Sequence, residues 1–110
     1  MAAASLAEFE LLVMLAALRL GPHEAYTVSI ADDIERRTGR SVRRANVYTT
    51  LQRLESKRLV STALGDPRPE RGGKPRRLVV VTPAGMAAVR ATTAAIQAMV
   101  GELGELMGEA

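Results

Sequence analysis

Apolar residues return every three or four positions from Leu6 to Leu20, and between Leu11 and Leu18 they leave almost no polar gap. Leu6, Phe9, Leu12, Val13, Ala16 and Leu20 fall at helical spacing, while Leu11, Met14, Leu15 and Leu18 make the other faces apolar too. That pattern predicts a first helix buried on several sides. Ser5-Leu6-Ala7-Glu8 has the spacing of a capping box, and Gly21-Pro22 ends the helix because proline cannot continue the hydrogen-bond ladder. Thr27 can cap a second helix, with Val28, Ile30, Ala31 and Ile34 as its apolar positions and Arg36, Arg37 and Gly39 at its end. A third helix is expected to begin near residues 41–44 and to run to about Arg58. On a 3.6-residue wheel Val47, Leu51 and Leu54 point one way, and Ala45, Asn46, Thr49, Arg53 and Ser56 point the other.

The period then changes. Residues 59–64 and 76–81 are rich in branched side chains and predict two strands of a hairpin. The connection over 65–75 holds three Gly, three Pro and the cations Arg68, Arg71 and Lys74, a composition that cannot bury itself. Thr82-Pro83 starts a fourth helix, with the hydroxyl as cap and proline at the first helical position. Met86, Val89, Thr93, Ile96, Val100, Leu103 and Met107 follow in alternating steps of three and four, a heptad seam through which two copies can pair. The same seam could instead pack on the first helix. Gly101, Gly104 and Gly108 weaken the last turns by up to about 1 kcal/mol each relative to alanine. The fold class is therefore mainly α with a small β-hairpin. Its element order is that of a winged helix-turn-helix over residues 1–82, followed by a C-terminal dimerisation helix over 83–110.

Charge sharpens this outline. The segment from Arg36 to Arg77 carries thirteen Lys or Arg against three acidic residues, whereas the flanks carry two basic and nine acidic ones. A local excess of +10 hides inside a net charge of +3 and seeks a polyanion. Arg43 and Arg44 occupy the first turn of the third helix, where the helix dipole disfavours cations by roughly 0.3–1 kcal/mol each. A phosphate at that terminus would reverse the sign of the effect.

Composition narrows the rest. A chain of 110 residues with 47% apolar content supports one domain, small enough to gain from a partner subunit. With no cysteine there are no disulfides or thiolate metal sites. The start MAAASLAEF lacks the basic residues of a signal peptide, and the longest strongly apolar run is too short to span a bilayer, so a cytoplasmic protein without membrane contact is expected.

Specific stretches resemble the PadR family of transcriptional regulators. They are Tyr26-Thr27-Val28-Ser29-Ile30, the block from Val47 through Tyr48, Thr49, Leu51 and Leu54 to Glu55, Leu59-Val60, Gly72-Gly73-Lys74-Pro75-Arg76, and Leu78 through Thr82-Pro83-Ala84-Gly85. The resemblance covers roughly residues 6–90 and implies a homodimeric regulator of double-stranded DNA, usually a repressor. Its third helix would enter the major groove and its last helix would build the dimer. Three departures stand out: Arg43-Arg44-Ala45-Asn46 replaces the family's Ser-Pro-Gly-Thr, Thr49 replaces a proline after the tyrosine, and Arg58 replaces a glycine ahead of the wing.

The candidate DNA contacts are Asn46, Thr49 and Arg53 at base edges, and Arg43, Arg44, Tyr48, Arg71, Lys74 and Arg76 at phosphate or sugar. Dimerisation falls to Met86, Val89, Ile96, Val100, Leu103 and Met107. Some compact members of the family bind flat aromatic molecules at the dimer centre. One Phe, two Tyr and no Trp give this chain little stacking surface for such an effector, and no cofactor is implied. No catalytic motif is recognisable. His23, the single histidine, reads as an exposed loop residue, and Asp32-Asp33 as a solvated helix face. The rival reading is a winged-helix protein-interaction module without direct DNA binding, for which thirteen cations around one helix and one hairpin have no use.

Overall fold

The computed structural model describes residues 3–65 and 76–108. Among these residues the chain runs α1 (Glu8–Leu20), α2 (Thr27–Thr38), α3 (Arg44–Ser56), β1 (Val60–Leu64), β2 (Arg77–Val81) and α4 (Pro83–Val100). This is the expected winged helix-turn-helix order, with each strand starting one residue later than its hydrophobic run.

The α1 helix is the centre of the packing, as its nearly continuous apolar surface requires. Leu11, Val13, Met14, Ala16 and Ala17 are buried, and Phe9, Leu12, Leu15, Leu18 and Leu20 pack against them from the rim. Ile30, Ala31 and Ile34 of α2 and Val47, Leu51 and Leu54 of α3 close the core from two sides. The cap of α1 differs from the expected Ser5 and Glu8. The helix starts at Ala7, whose amide donates to the Glu10 carboxylate at 2.9 Å. Glu8 is drawn away to Arg40, which contacts both of its carboxylate oxygens at 2.9 and 2.7 Å. The α2 start also shifts by one residue. Tyr26 is the cap position, and its amide donates to the Ser29 hydroxyl, leaving Thr27 as the first helical residue.

Gly39 takes the left-handed conformation at φ 74° that ends α2, and the turn beyond it is fastened from both sides. The Glu35 carboxylate accepts from the Val42 amide at 2.7 Å, and the Thr38 hydroxyl accepts from the Arg40 amide at 3.1 Å. The direction of α3 is thus set before its first residue.

The strands pair antiparallel in the register Val60 with Val81 through Leu64 with Arg77. The hairpin is docked to the helical body where the Val79 amide donates to the Ala25 carbonyl at 2.8 Å. Thr82 caps α4 as expected, its hydroxyl accepting from the Gly85 amide at 3.0 Å while donating to the Arg58 carbonyl at 2.8 Å. Gly85 is obligatory there. A Cβ at that position would collide with the Leu59 carbonyl and the Met14 side chain.

The α4 seam divides in two. Val89 is buried and the Leu6 amide donates to Thr92 Oγ1 at 3.1 Å, so the first half of the helix packs on the N-terminal segment of its own chain. The helix then stops at Val100, capped by Gly101, and Leu103 and Met107 lie beyond it. The expected heptad seam therefore does not run as one helix to Met107. The glycine at 101 ends it one repeat early.

Candidate nucleic-acid interface

The outward side of α3 is polar from end to end. Ala45, Asn46, Thr49, Arg53 and Ser56 are all exposed, opposite buried Val47, Thr50, Leu51 and Leu54. Asn46, Thr49 and Arg53 line one shallow open depression with Phe9 and Thr50. The structure thus brings together the three residues expected to read base edges. Arg43 stands at the cap position and Arg44 at the first helical residue, with no acidic residue in the first turn. No side chain caps this helix, so its first amides and two guanidinium groups face solvent together.

Tyr48 is 52% exposed and belongs to the surface more than to the core. Its hydroxyl accepts from the Gln52 amide at 3.3 Å. With Glu55 of the same helix they line an open groove of about 350 Å³ between α3 and the hairpin, with Thr62 and Arg77 on the opposite wall. There Arg77 Nη1 donates to Thr62 Oγ1 at 2.8 Å, and Thr62 Oγ1 donates to the Glu55 carboxylate at 2.8 Å. This chain ties the hairpin to α3. Gln52 and Arg77 are not among the contacts expected from sequence; strand alternation, which separates Arg77 from its neighbour Arg76, is the signal that could have found Arg77.

Folding redistributes the basic segment. Arg36 and Arg37 reach back to Asp33 at 3.0 and 3.3 Å, and Arg19 of α1 joins them at 2.6 Å. Asp33 is only 1% exposed, which corrects its reading as a solvated residue; Asp32 beside it is exposed. Burial alone would raise the Asp33 carboxyl, but the three guanidinium groups outweigh it and hold the group below the usual carboxylate range. Lys57 pairs with Glu10 at 3.0 Å. Burial again opposes ionisation of Glu10, and the Ala7 amide, Lys57 and the charge of Arg53 together overcome it. The two-point contact with Arg40 lowers Glu8 and raises Arg40. The cations with no acidic partner within 4 Å among the described residues include Arg43, Arg44, Arg53 and Arg58. All four lie on or beside α3.

Arg76, expected beside phosphate, is placed otherwise. Its side chain is 8% exposed, stacked 4.8 Å from the centroid of the Tyr26 ring, with Nη1 3.7 Å from the Glu24 carboxylate. It faces the helical body and not the outer face of the hairpin. Arg71 and Lys74 lie outside the described residues. His23 is exposed in the α1–α2 connection. No helix among the described residues is long and apolar enough to cross a membrane.

Solved structures share this architecture. A PadR family transcriptional regulator from Eggerthella lenta is 25% identical, with a TM-score of 0.66 over 87% of this chain and 80% of its own. A protein described as a transcriptional regulator from Thermoplasma acidophilum, at 14% identity, has the same fold with a TM-score of 0.70 over 91% of this chain and 93% of its own. No curated protein sequence matches. Residues 14–91, from the middle of α1 into α4, match the Transcriptional regulator PadR-like family, and on that match the chain belongs to this family.

Proposed function

We propose that this regulator binds double-stranded DNA sequence-specifically, as a homodimer on an inverted repeat, and represses transcription. The observation that carries the reading is the outer face of α3, where Asn46, Thr49 and Arg53 stand exposed behind two cations that no acidic side chain among the described residues neutralises. Asn can pair with adenine and Arg with guanine in the major groove. Arg43, Arg44 and Tyr48 flank that face and contact phosphate or sugar, fixing the register without reading sequence. Arg71 and Lys74 extend the same role along the hairpin connection.

Dimerisation rests on the far end of α4. Ile96, Met99 and Val100 are exposed, Met99 by 79%, and Leu103, Leu106 and Met107 continue the apolar surface past the helix. Soluble monomers rarely leave a contiguous patch of this kind open. Val89 serves the protomer's own packing and Met86 is half-buried, so the exposed pairing surface begins near Ile96. A symmetric dimer would read half-sites about 10 base pairs apart, or a multiple of that.

A gel-shift titration against the chain's own promoter region tests the reading. With six or more phosphate contacts, affinity should fall by something like 1,000-fold between 50 and 200 mM salt. Ile96→Asp with Val100→Asp should give monomers by sedimentation that bind DNA far more weakly. Salt-insensitive binding, or none at low salt, defeats the proposal.

A further inference from the structure

Arg76 is a cation that the DNA surface leaves unexplained. Its side chain is 8% exposed, and its Nε is buried with no hydrogen-bond partner among the described residues. Among the described residues the one carboxylate near it, Glu24, is 3.7 Å away and 60% exposed, too distant for a hydrogen bond. Burying a guanidinium on such terms returns little of its desolvation cost, and an apolar side chain of similar volume would often be as stable or more so. Stability therefore gives no reason for arginine at this position. Geometry gives one. The Arg76 carbonyl accepts from the Gly65 amide at 2.6 Å, closing the described part of the hairpin, and its side chain grips Tyr26 and Glu24 in the connection that leads into α2. Three residues later Val79 bonds Ala25 of the same connection. An isolated two-stranded hairpin is marginal in water, so its direction is set by what it docks on.

We infer that Arg76 is a positioning residue for DNA binding. Held against the Tyr26 ring and the Glu24 carboxylate, it fixes the direction in which the hairpin leaves the helical body, and with it the phosphates that the hairpin can meet, while touching no phosphate itself. The planar guanidinium suits this task because it can stack and attract a carboxylate at once. The inference rests on the DNA-binding reading above.

The test compares salt-titrated gel shifts and thermal melting for the full chain and for Arg76→Met, Arg76→Lys and Tyr26→Leu. Each phosphate contact contributes about 0.9 to the slope of log affinity against log salt. Arg76→Met should melt near the unmodified protein yet lose more slope than one contact in each subunit supplies, more than about 1.8 for the dimer, with its base preference retained. Tyr26→Leu removes no charge, but should lose slope as well. Arg76→Lys should fall between. A loss of about 1.8 in Arg76→Met, one contact in each subunit of the dimer, with Tyr26→Leu unchanged, would show a direct phosphate contact and overturn the inference. Unchanged slopes in both variants would overturn it as a spectator. Should Arg76→Met fail to fold, Tyr26→Leu and Glu24→Gln decide alone, with the same loss expected and unchanged slopes overturning. An unmodified protein without salt-dependent affinity would instead remove the DNA reading itself, and the inference with it.

Discussion

Arg36 and Arg37 close α2 by folding back onto buried Asp33, whereas Arg43 and Arg44, just across the turn, open α3 with no acidic partner among the described residues. The two pairs look alike in the sequence, yet only one remains open to an anion. The difference lies in where the acids come from. Glu8, Glu10, Glu24 and Asp33 all belong to the acidic N-terminal flank, and folding lays them against Arg40, Lys57, Arg76 and the end of α2. The +10 excess counted along the chain is thus partly neutralised in the folded protein, and among the described residues of that segment the cations without an acidic partner within 4 Å are Arg43, Arg44, Arg53 and Arg58, on or beside α3, and Arg77 across the groove. Charge within a segment indicates a polyanion; only the ion-pair geometry says which cations are available to it.

The neutralised side of the comparison is the one whose loss should cost most. Asp33→Ala would leave Arg19, Arg36 and Arg37 without their shared carboxylate. Removing one partner of a fully buried pair costs about 3–5 kcal/mol, and because these guanidinium groups are partly exposed the expected loss is nearer 2–3 kcal/mol. Thermal melting should show a drop of roughly 10 °C or more. A drop of only a degree or two would mean that the three ion pairs hold nothing together.

The same carboxylates set the acid limit. Asp33 and Glu10 titrate below their ordinary values in the folded protein, so their contribution is complete above the unfolded-state value near 4 and disappears as pH falls through the folded one. Melting temperature should therefore hold between about pH 5 and 7 and decline below about pH 4. Asp33→Asn should flatten part of that decline. An equally steep decline in that variant would place the linkage elsewhere.

How much of this could be read beforehand follows from the range of the interactions. The helical periods, the Gly39 stop and the Thr82-Pro83 start depend on neighbouring residues, and they were legible. The polar face of α3 was legible for the same reason. Asp33 was not, because nothing local separates it from Asp32; its burial depends on Arg19, fourteen residues away. The α1 cap failed similarly, since Glu8 and Glu10 are both well spaced for capping and Arg40, from the α2–α3 turn, takes one of them. The heptad count ran past Gly101 because apolar spacing carries no information about where a helix stops. Arg76 was grouped with the wing cations, and only its contact with Tyr26 across the fold sets it apart.

Exchanging single cations sharpens the comparison at smaller cost. Arg44→Ala should remove about 1.8 from the salt slope of the dimer, one contact in each subunit, and weaken all sequences alike, with little change in melting. Arg36→Ala should do the reverse, leaving the slope nearly intact and lowering stability by less than about 1 kcal/mol, because its pair with Asp33 is mostly exposed on the Arg side. Equal slope losses in the two variants would erase the distinction between held and open cations. Arg53→Ala should differ from both by shifting base preference as well as affinity, readable by selection from random duplexes.

The smallest effect concerns Arg58, which belongs to the open set and also carries a backbone cost. It is the one non-glycine residue with positive φ among those described, at 62°, between the end of α3 and Leu59. A left-handed conformation costs an L-residue about 1–2 kcal/mol, which gives a physical reason for the glycine that the family favours here. The position's own hydrogen bonds use main-chain atoms: the Arg58 amide donates to the Glu55 carbonyl, and its carbonyl accepts from the Thr82 hydroxyl. Glycine would keep both. Arg58→Gly should therefore stabilise the fold by roughly 0.5 kcal/mol once the greater freedom of glycine in the unfolded chain is subtracted, a rise of about 2–4 °C. Arg58→Ala removes the same charge but retains the strain, so the pair separates backbone from electrostatics. If Arg58 meets a phosphate, both variants should lose the same increment of salt slope while only the glycine variant melts higher. Equal melting in the two would mean that the left-handed turn carries no strain, and that the departure from glycine at this position has cost the fold nothing.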